Sequence, residues 1–346
     1  VPTLLLNGQW SVALSVVVLL SAGLLTVVCS IRLATLGDLL ADRTGWGEAV
    51  FGAVLFGLVT SLSGIVMTGV SAADDQPQLA YSNAVGGIAA QTLAVVVADA
   101  FHRQANLEHA AASLQNILFG CLLTGLLGIA LMATFSPRVT VLGVHPASVV
   151  LVLFYAGGLR LIHSREVPMW RAVPTLETVA DTPDHQGNAV ERDGRLLWAE
   201  FLCIALIVVA GGWAVTHAAE EILSGSDLKP GLVGAGIMGT INALPEAVTA
   251  IAAVRRGAVT LAIAAIIGGN CLDVLNLAVG DLAYTKGSLF HSANRDELFL
   301  TSSAMVMTTI VLGGLLMRQR RGWFRLGFDG TLLIAIYAMT LVTLAF

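Results

Sequence analysis

The chain is 346 residues long, 56% apolar and only 12% charged, with a mean hydropathy of +0.82. That composition excludes a soluble globular domain of this length and leaves a polytopic membrane protein. The net charge of −5 says little, because the charges fall between the apolar runs, and no nucleic-acid partner is expected.

A helix crossing the hydrocarbon core needs about 20 predominantly apolar residues. In chain order, the runs at 11–31, 47–73, 83–101, 112–135 and 140–162 predict five spanning helices. The runs at 196–218, 231–254, 258–283, 298–317 and 326–345 predict five more. Several are rich in Gly and Ala, which lets helix backbones pack closely in lipid. The polar stretch 164–195 divides the two sets; with Pro168, Pro174, Pro183 and mixed charges it reads as a linker. The expected architecture is an all-α membrane protein of about ten transmembrane helices, with halves at 1–163 and 196–346. Cys29, Cys121, Cys203 and Cys271 all lie inside apolar runs and read as buried small hydrophobes, not a disulfide framework. The sequence begins at Val1 rather than Met, so an upstream segment is expected.

Lys and Arg set the orientation. With 164–195 cytoplasmic, all 18 basic residues fall on the cytoplasmic side except Arg138, Lys229, Lys286 and Arg295. A wrong helix count would scramble that bias. Trp10, Trp46, Trp198, Trp323 and Tyr284 fall near span ends, where interface anchors belong. The expected location is the plasma (inner) membrane, with lipid and inorganic cations as the partners.

Residues 234–281 repeat the pattern of 52–99 at a constant offset of 182. Adding it takes Gly52 to Gly234, Gly57 to Gly239, Leu62 to Leu244, Gly86-Gly87 to Gly268-Gly269 and Asp99 to Asp281. It also takes Gly64 to Glu246 and Gln91 to Asp273, so the acids survive in one copy only. Five spans per half make the copies face opposite ways. The loop charges agree: Asp74 and Asp75 in one, Arg255 and Arg256 in the other. Such inverted repeats build transporters whose sites lie near the bilayer midplane.

Glu246 lies in mid-span, where a carboxylate costs about 2.5–3.5 kcal/mol on insertion scales. Pro245 removes a backbone donor and is expected to disturb the helix, turning carbonyls around Ala243 toward a cation. Asn242 is one turn earlier on the same face. On the next helix Gly268-Gly269 is expected to weaken the backbone, and Asn270, Asp273 and Asn276 follow in one stripe. Glu, Asp, Asn and carbonyl oxygens are hard-cation ligands, suited to Ca²⁺ or Na⁺. The first copy offers neutral donors: Thr60, Ser61 and Ser63, then Asn83 and Gln91. Ser63, Ser82, Asn83 and Asn276 have an equally good reading as helix-to-helix ties. Asp99 and Asp281, near span ends, read as solvated or capping groups, or as the lining of an access path. Cys271 lies beside the site but reads as core.

These residues resemble the calcium/cation antiporter superfamily, of which the sodium/calcium exchangers are the best-known branch. The family's G-T-S-L-P-E and G-S-N-x-F-D patterns are matched by Asn242-Ala243-Leu244-Pro245-Glu246 and Gly268-Gly269-Asn270-Cys271-Leu272-Asp273. Thr60-Ser61-Leu62-Ser63-Gly64 and Gly86-Gly87-Ile88-Ala89-Ala90-Gln91 are degenerate copies. The resemblance implies alternating access, with two helices sliding across a core bundle. It implies Glu246 and Asp273 as carboxylate ligands, with Thr60, Ser61, Asn242, Asn270 and Gln91 adding oxygens. Gly64 and Ser63 stand where the family has Glu and Pro, and Gln91 where it has Asn or Asp. Three Na⁺ per Ca²⁺ is expected to need acids from both halves. Two carboxylates suit one divalent ion exchanged for two monovalent ions, or for protons.

The resulting expectation is a secondary-active antiporter exchanging Ca²⁺ for Na⁺, with no cofactor. Proton-coupled exchange and a non-transporting, ion-binding homologue are the alternatives. Equal spacing of 64 to 91 and of 246 to 273 favours transport. No H-E-x-x-H, G-x-S-x-G or facing aspartate pair points to an enzyme.

Overall fold

The computed structural model describes residues 11–44, 61, 64–65, 68–69, 71–73, 75–102, 105–141, 143–162, 193–224, 232, 235–236, 239–319 and 327–346. Thr60, Ser63, Asp74 and nearly all of the linker lie outside the described residues. So do Val1, Trp10, Trp46 and Trp323.

The described chain is helical. It runs through α1 (Val12–Thr44), helical residues at 61, 64–65, 68–69 and 71–73, α2 (Pro77–Phe101), the short α3 (Leu107–Ala110), α4 (Leu114–Thr134) and α5 (Pro146–Ile162). The second half has α6 (Gly194–Ser224), a π-helical turn at Ala235–Gly236, α7 (Gly239–Arg255), α8 (Val259–Ala283), a 3₁₀ turn (Phe290–Ser292), α9 (Arg295–Met317) and α10 (Phe328–Ala345). No β-strand occurs among the described residues, only an isolated bridge between Val141 and Val144.

The offset of 182 extends well beyond the motif region. It maps α2 residue for residue onto α8, and brings α1 onto α6, α4 onto α9 and α5 onto α10 with ends within a few residues. Small details follow the same register. The hairpin turn of each repeat needs one residue with left-handed backbone: Asp75 (φ 64°) in the first, Gly257 (φ 86°) in the second. Gly and, less readily, Asp tolerate that region. Asp99 Oδ1 accepts the Leu107 N–H at 2.6 Å, and Asp281 Oδ1 accepts the Leu289 N–H at 2.9 Å. The His109 ring donates to the Arg318 carbonyl, and the His291 ring to that of Ser136, both at 2.7 Å. Asp99 and Asp281 are thus buried caps, not solvated groups. Asp281 also accepts from the His145 N–H and the Ser148 hydroxyl.

Local sequence explains the helix starts. Pro77 opens α2, where its missing N–H costs nothing. Ser113 caps α4 by accepting the Asn116 N–H at 3.1 Å. Glu297 reaches back to the Asn294 N–H at 2.6 Å to start α9.

α2 and α8 are the inner spans, with 78% and 83% of their most apolar windows buried, against 28% for α6 and 33% for α10. Helices apolar on every side are those enclosed by others. The outer faces of α5, α6 and α10 carry exposed Leu153, Leu161, Leu206 and Val342, as lipid contact requires. α1 and α6 run longer than the expected spans 11–31 and 196–218. At 33 and 31 residues they are about 45–50 Å long, more than a bilayer core needs. They pack chiefly on each other and meet the bundle mainly through α7, with Arg32 ion-paired to Glu200 between them.

The cysteines divide differently from expectation. All four are free, but only Cys271 is buried; Cys121 and Cys203 are exposed on apolar helices and so face lipid. Asp75 is exposed, as expected of a loop, and is ion-paired to Lys286.

Candidate functional site

α2, α7 and α8 pack on one another in mid-bundle, and Ser61, Gly64 and Thr68 meet α8 at successive levels. Ser61 meets the level of Gly269, Gly64 the level of Asp273 and Asn276, and Thr68 that of Gly280. The two repeats therefore cross at the positions where the sequence carries its polar residues.

Asp273 is buried at 4% exposure and hydrogen-bonds to the side chains of Ser61, Gln91 and Asn276. The Asn276 amide donates to Asp273 Oδ1 at 3.2 Å. The Ser61 hydroxyl also reaches the Gly269 carbonyl at 3.2 Å. Gly87 comes close enough that a Cβ there would be 3.9 Å from Asp273 Oδ2. Glu246, 1% exposed, lies midway along α7, and its carbonyl accepts the Thr249 hydroxyl. Three expected residues, Ser61, Gln91 and Asp273, thus come together.

Asn270 is engaged differently. Its amide donates to Thr92 Oγ1 at 3.0 Å, and it lines a small cavity between α2, α4, α8 and α9 with Thr92 and Thr308. The side chains of Asn242 and Pro245 lie outside the described residues. The backbone corrects two expectations. α7 continues through Pro245, and the irregular backbone comes earlier, at the π turn of Ala235–Gly236. The Ala235 carbonyl there accepts the Tyr337 hydroxyl of α10 at 3.3 Å. α8 likewise runs unbroken through Gly268-Gly269, because burial on all sides outweighs the weak helix propensity of glycine.

The helix-to-helix reading holds for Ser82, which donates to Glu297 at 2.8 Å, and for Asn83, which donates to Thr68 at 3.1 Å. Cys271 is core, with its thiol directed at the Phe119 carbonyl. Asn276 was legible as part of a stripe, but nothing in the sequence shows that it touches Asp273 and fills the space beside Gly64.

The site's acceptors outnumber its donors. Gln91 Oε1, Asn270 Oδ1 and Asn276 Oδ1 are buried with no hydrogen-bond partner among the described residues. A buried acceptor left so costs about 1–3 kcal/mol. The Gln91 and Asn276 side chains bond to the buried Asp273 carboxylate, and oxygen donors of these kinds are hard-cation ligands. No group of three or more His, Cys, Asp or Glu side chains placed to hold a metal ion occurs among the described residues.

Solved structures share this architecture. A sodium-calcium exchanger, NCX_Mj, soaked with 2.5 mM Na⁺ and 0.1 mM Ca²⁺ is similar over 96% of this chain and 99% of its own, with TM-score 0.65 and 18% identity. The same exchanger soaked with 10 mM Na⁺ and 10 mM Sr²⁺ gives TM-score 0.64 at 20% identity, covering 96% and 99%. Soaked with zero Na⁺ and Ca²⁺ it gives 0.61 at 18%, covering 96% and 100%. At these identities the likeness is one of fold: two inverted five-helix repeats. No curated protein matches the sequence. The profile of the "Sodium/calcium exchanger protein" family matches residues 14–162 and 196–346, nearly all of both halves. This integral, multi-pass membrane protein therefore belongs to the sodium/calcium exchanger protein family.

Proposed function

We propose that this chain is a secondary-active cation antiporter that exchanges Ca²⁺ for Na⁺ by alternating access. The observation that carries the reading is the set of buried, donorless amide oxygens around Asp273 at the crossing of the repeats. The family and the fold of an exchanger soaked with Na⁺, Ca²⁺ and Sr²⁺ support it. Glu246 and Asp273 serve as the charged ligands; Ser61, Gln91 and Asn270 add oxygens, as do Asn242 and Thr60. Gly64 lies beside Asp273, and the symmetry of the repeats is our ground for setting Glu246 beside Gln91, with the two acids flanking one amide. Two carboxylates balance one divalent ion or two monovalent ions, which makes the exchange electroneutral.

Alternating access then has the paired α1 and α6 slide across the core bundle that the two halves, 1–163 and 196–346, build around this site. The linker 164–195 is cytoplasmic and the protein resides in the plasma (inner) membrane. Irregular backbone at Ala235–Gly236, of the kind found at functional sites, gives one hairpin a place to flex.

The test is ⁴⁵Ca²⁺ uptake into proteoliposomes under an outward Na⁺ or an outward H⁺ gradient. Uptake with Na⁺ alone, unchanged by a clamped membrane potential, is the expected result. Uptake with H⁺ alone reassigns the coupling ion. Failure under both gradients, where a working exchanger succeeds in parallel, overturns Ca²⁺ as cargo. Glu246→Gln and Asp273→Asn should each lower uptake at least 100-fold, because each removes a buried charge from the cation.

A further inference from the structure

Asn276 lies one turn beyond Asp273 on α8 and is 1% exposed. Its Nδ2 donates to Asp273 Oδ1 at 3.2 Å, and its Oδ1 has no partner among the described residues. A Cβ built on Gly64 would stand 2.9 Å from Asn276 Nδ2 and 3.5 Å from Asp273 Oδ1. The amide therefore occupies the space into which a side chain at 64 would project. The repeat register turns this into a trade. Gly64 corresponds to Glu246 and Asn276 to Ala94. The crossing of the repeats pairs Gly64, which has no side chain, with the Asn276 amide, and the symmetry-related pair is the Glu246 carboxylate with the Ala94 methyl group.

From this geometry we infer that Asn276 is a cation ligand, its unpartnered Oδ1 supplying a neutral oxygen while its NH₂ group fills the space that Gly64 leaves. Its NH₂ group also holds the Asp273 carboxylate in place. This rests on the antiport reading of the site and adds the ligand that completes it. The chemistry has a consequence for selectivity. A neutral carbonyl oxygen contributes a ligand without adding charge, so the site keeps two negative charges and matches one divalent cation. Asn276 thereby belongs to the machinery that sets Ca²⁺ against Na⁺.

The experiment reads ion binding without transport. The purified full chain in detergent is melted across titrations of Ca²⁺ alone and of Na⁺ alone, since a ligand bound by the folded state raises the melting temperature. Asn276→Ala should raise the half-saturating Ca²⁺ about 10-fold or more, the cost of removing a hydrogen bond to a charged group and one ligand. Asn276→Asp restores an oxygen and adds a charge, so it should bring the half-saturating Ca²⁺ back toward the parent and change the Ca²⁺-to-Na⁺ preference. A merely structural residue would not change that preference. Gly64→Ala should displace the amide and weaken Ca²⁺ binding in the parent, yet have no further effect in Asn276→Ala, where the space is free.

A parental Ca²⁺ response in Asn276→Ala overturns the inference, as does full additivity of Gly64→Ala and Asn276→Ala. If Asn276→Ala does not fold, Asn276→Asp and Gly64→Ala decide: an unchanged Ca²⁺-to-Na⁺ preference in the first with an unchanged half-saturation in the second overturns it. Glu246→Gln separates the two readings. Loss of the ion response in Glu246→Gln with none in the Asn276 variants removes Asn276 and leaves the site. A full response in Glu246→Gln removes the site itself.

Discussion

Glu108, buried at 3% exposure, sits beside Asp99 and Asp329 at one end of the bundle and hydrogen-bonds to Asp329. Burial, and then the charges of Asp329 and Asp99, push the Glu108 carboxyl well above the ordinary carboxylate range. The repeat register puts Phe290 and Ala147 at the matching places of the other half, so the extra acids belong to one end only. A group whose folded value is raised holds a proton that the unfolded chain releases. Its stabilisation is full below the unfolded value of about 4.3 and is lost as pH rises through the folded value. Glu108→Gln, which mimics the protonated form, should melt above the parent at pH 8 and converge with it as pH falls toward 4. Melting curves across that range check it, and a constant difference at all pH values would show that Glu108 does not titrate. Nothing in the sequence marks this residue, because its neighbours come from α2 and α10. Glu246 and Asp273, by contrast, were legible from residue chemistry alone, since an acid in mid-span is costly wherever the helix packs.

At the scale of elements, close helix approach decides most of what propensity leaves open. A Cβ on Gly86 would stand 2.8 Å from the Ala235 Cα, a backbone atom that cannot swing aside. Gly86 is therefore where α2 passes the π turn before α7. Gly86→Ala should lower stability by about 1–3 kcal/mol through overpacking. Gly87→Ala, whose Cβ meets Asp273 Oδ2 at an ordinary 3.9 Å, should stay within about 0.5 kcal/mol of the parent. Chemical denaturation of both variants separates these outcomes, and equal losses would refute the contact. The glycine pair of each repeat and the close approach it permits are plain in the sequence, but that the helix stays unbroken through the pair is not. Pro245 misleads in the same way. It removes one donor, yet α7 continues because its neighbours hold it, and the irregular turn forms ten residues earlier where Tyr337 can satisfy the Ala235 carbonyl. The lengths of α1 and α6 were also hidden, since their polar ends look like loops until the helices are seen to pair and project beyond the apolar runs.

Over the whole molecule, the contacts sort the chain into two ends. Asp75 pairs with Lys286, Asp281 holds His145 and His291 meets Ser136 at one end. His109 meets Arg318, and the Arg255 guanidinium lies 4.7 Å over the Phe101 ring, at the other. The basic-residue bias is the ground for proposing that the second end is cytoplasmic. A cysteine at Thr285 should accept a membrane-impermeant maleimide in intact cells, and one at Arg256 only after permeabilisation. The reverse labelling would invert the orientation while leaving the fold intact. The sequence by itself determined the membrane class, the two-repeat architecture and the two mid-span acids. Apolar length, repeat register and the cost of a buried charge are properties of residues in order, and no partner is needed to read them. Only the tertiary structure decided which oxygens surround Asp273, that Asn276 stands where Gly64 is empty, and that Asp99 and Asp281 cap loops. Those facts depend on which atoms of distant helices come within about 3 Å. Such distances are set by the crossing of the two repeats, to which no single segment of the chain commits.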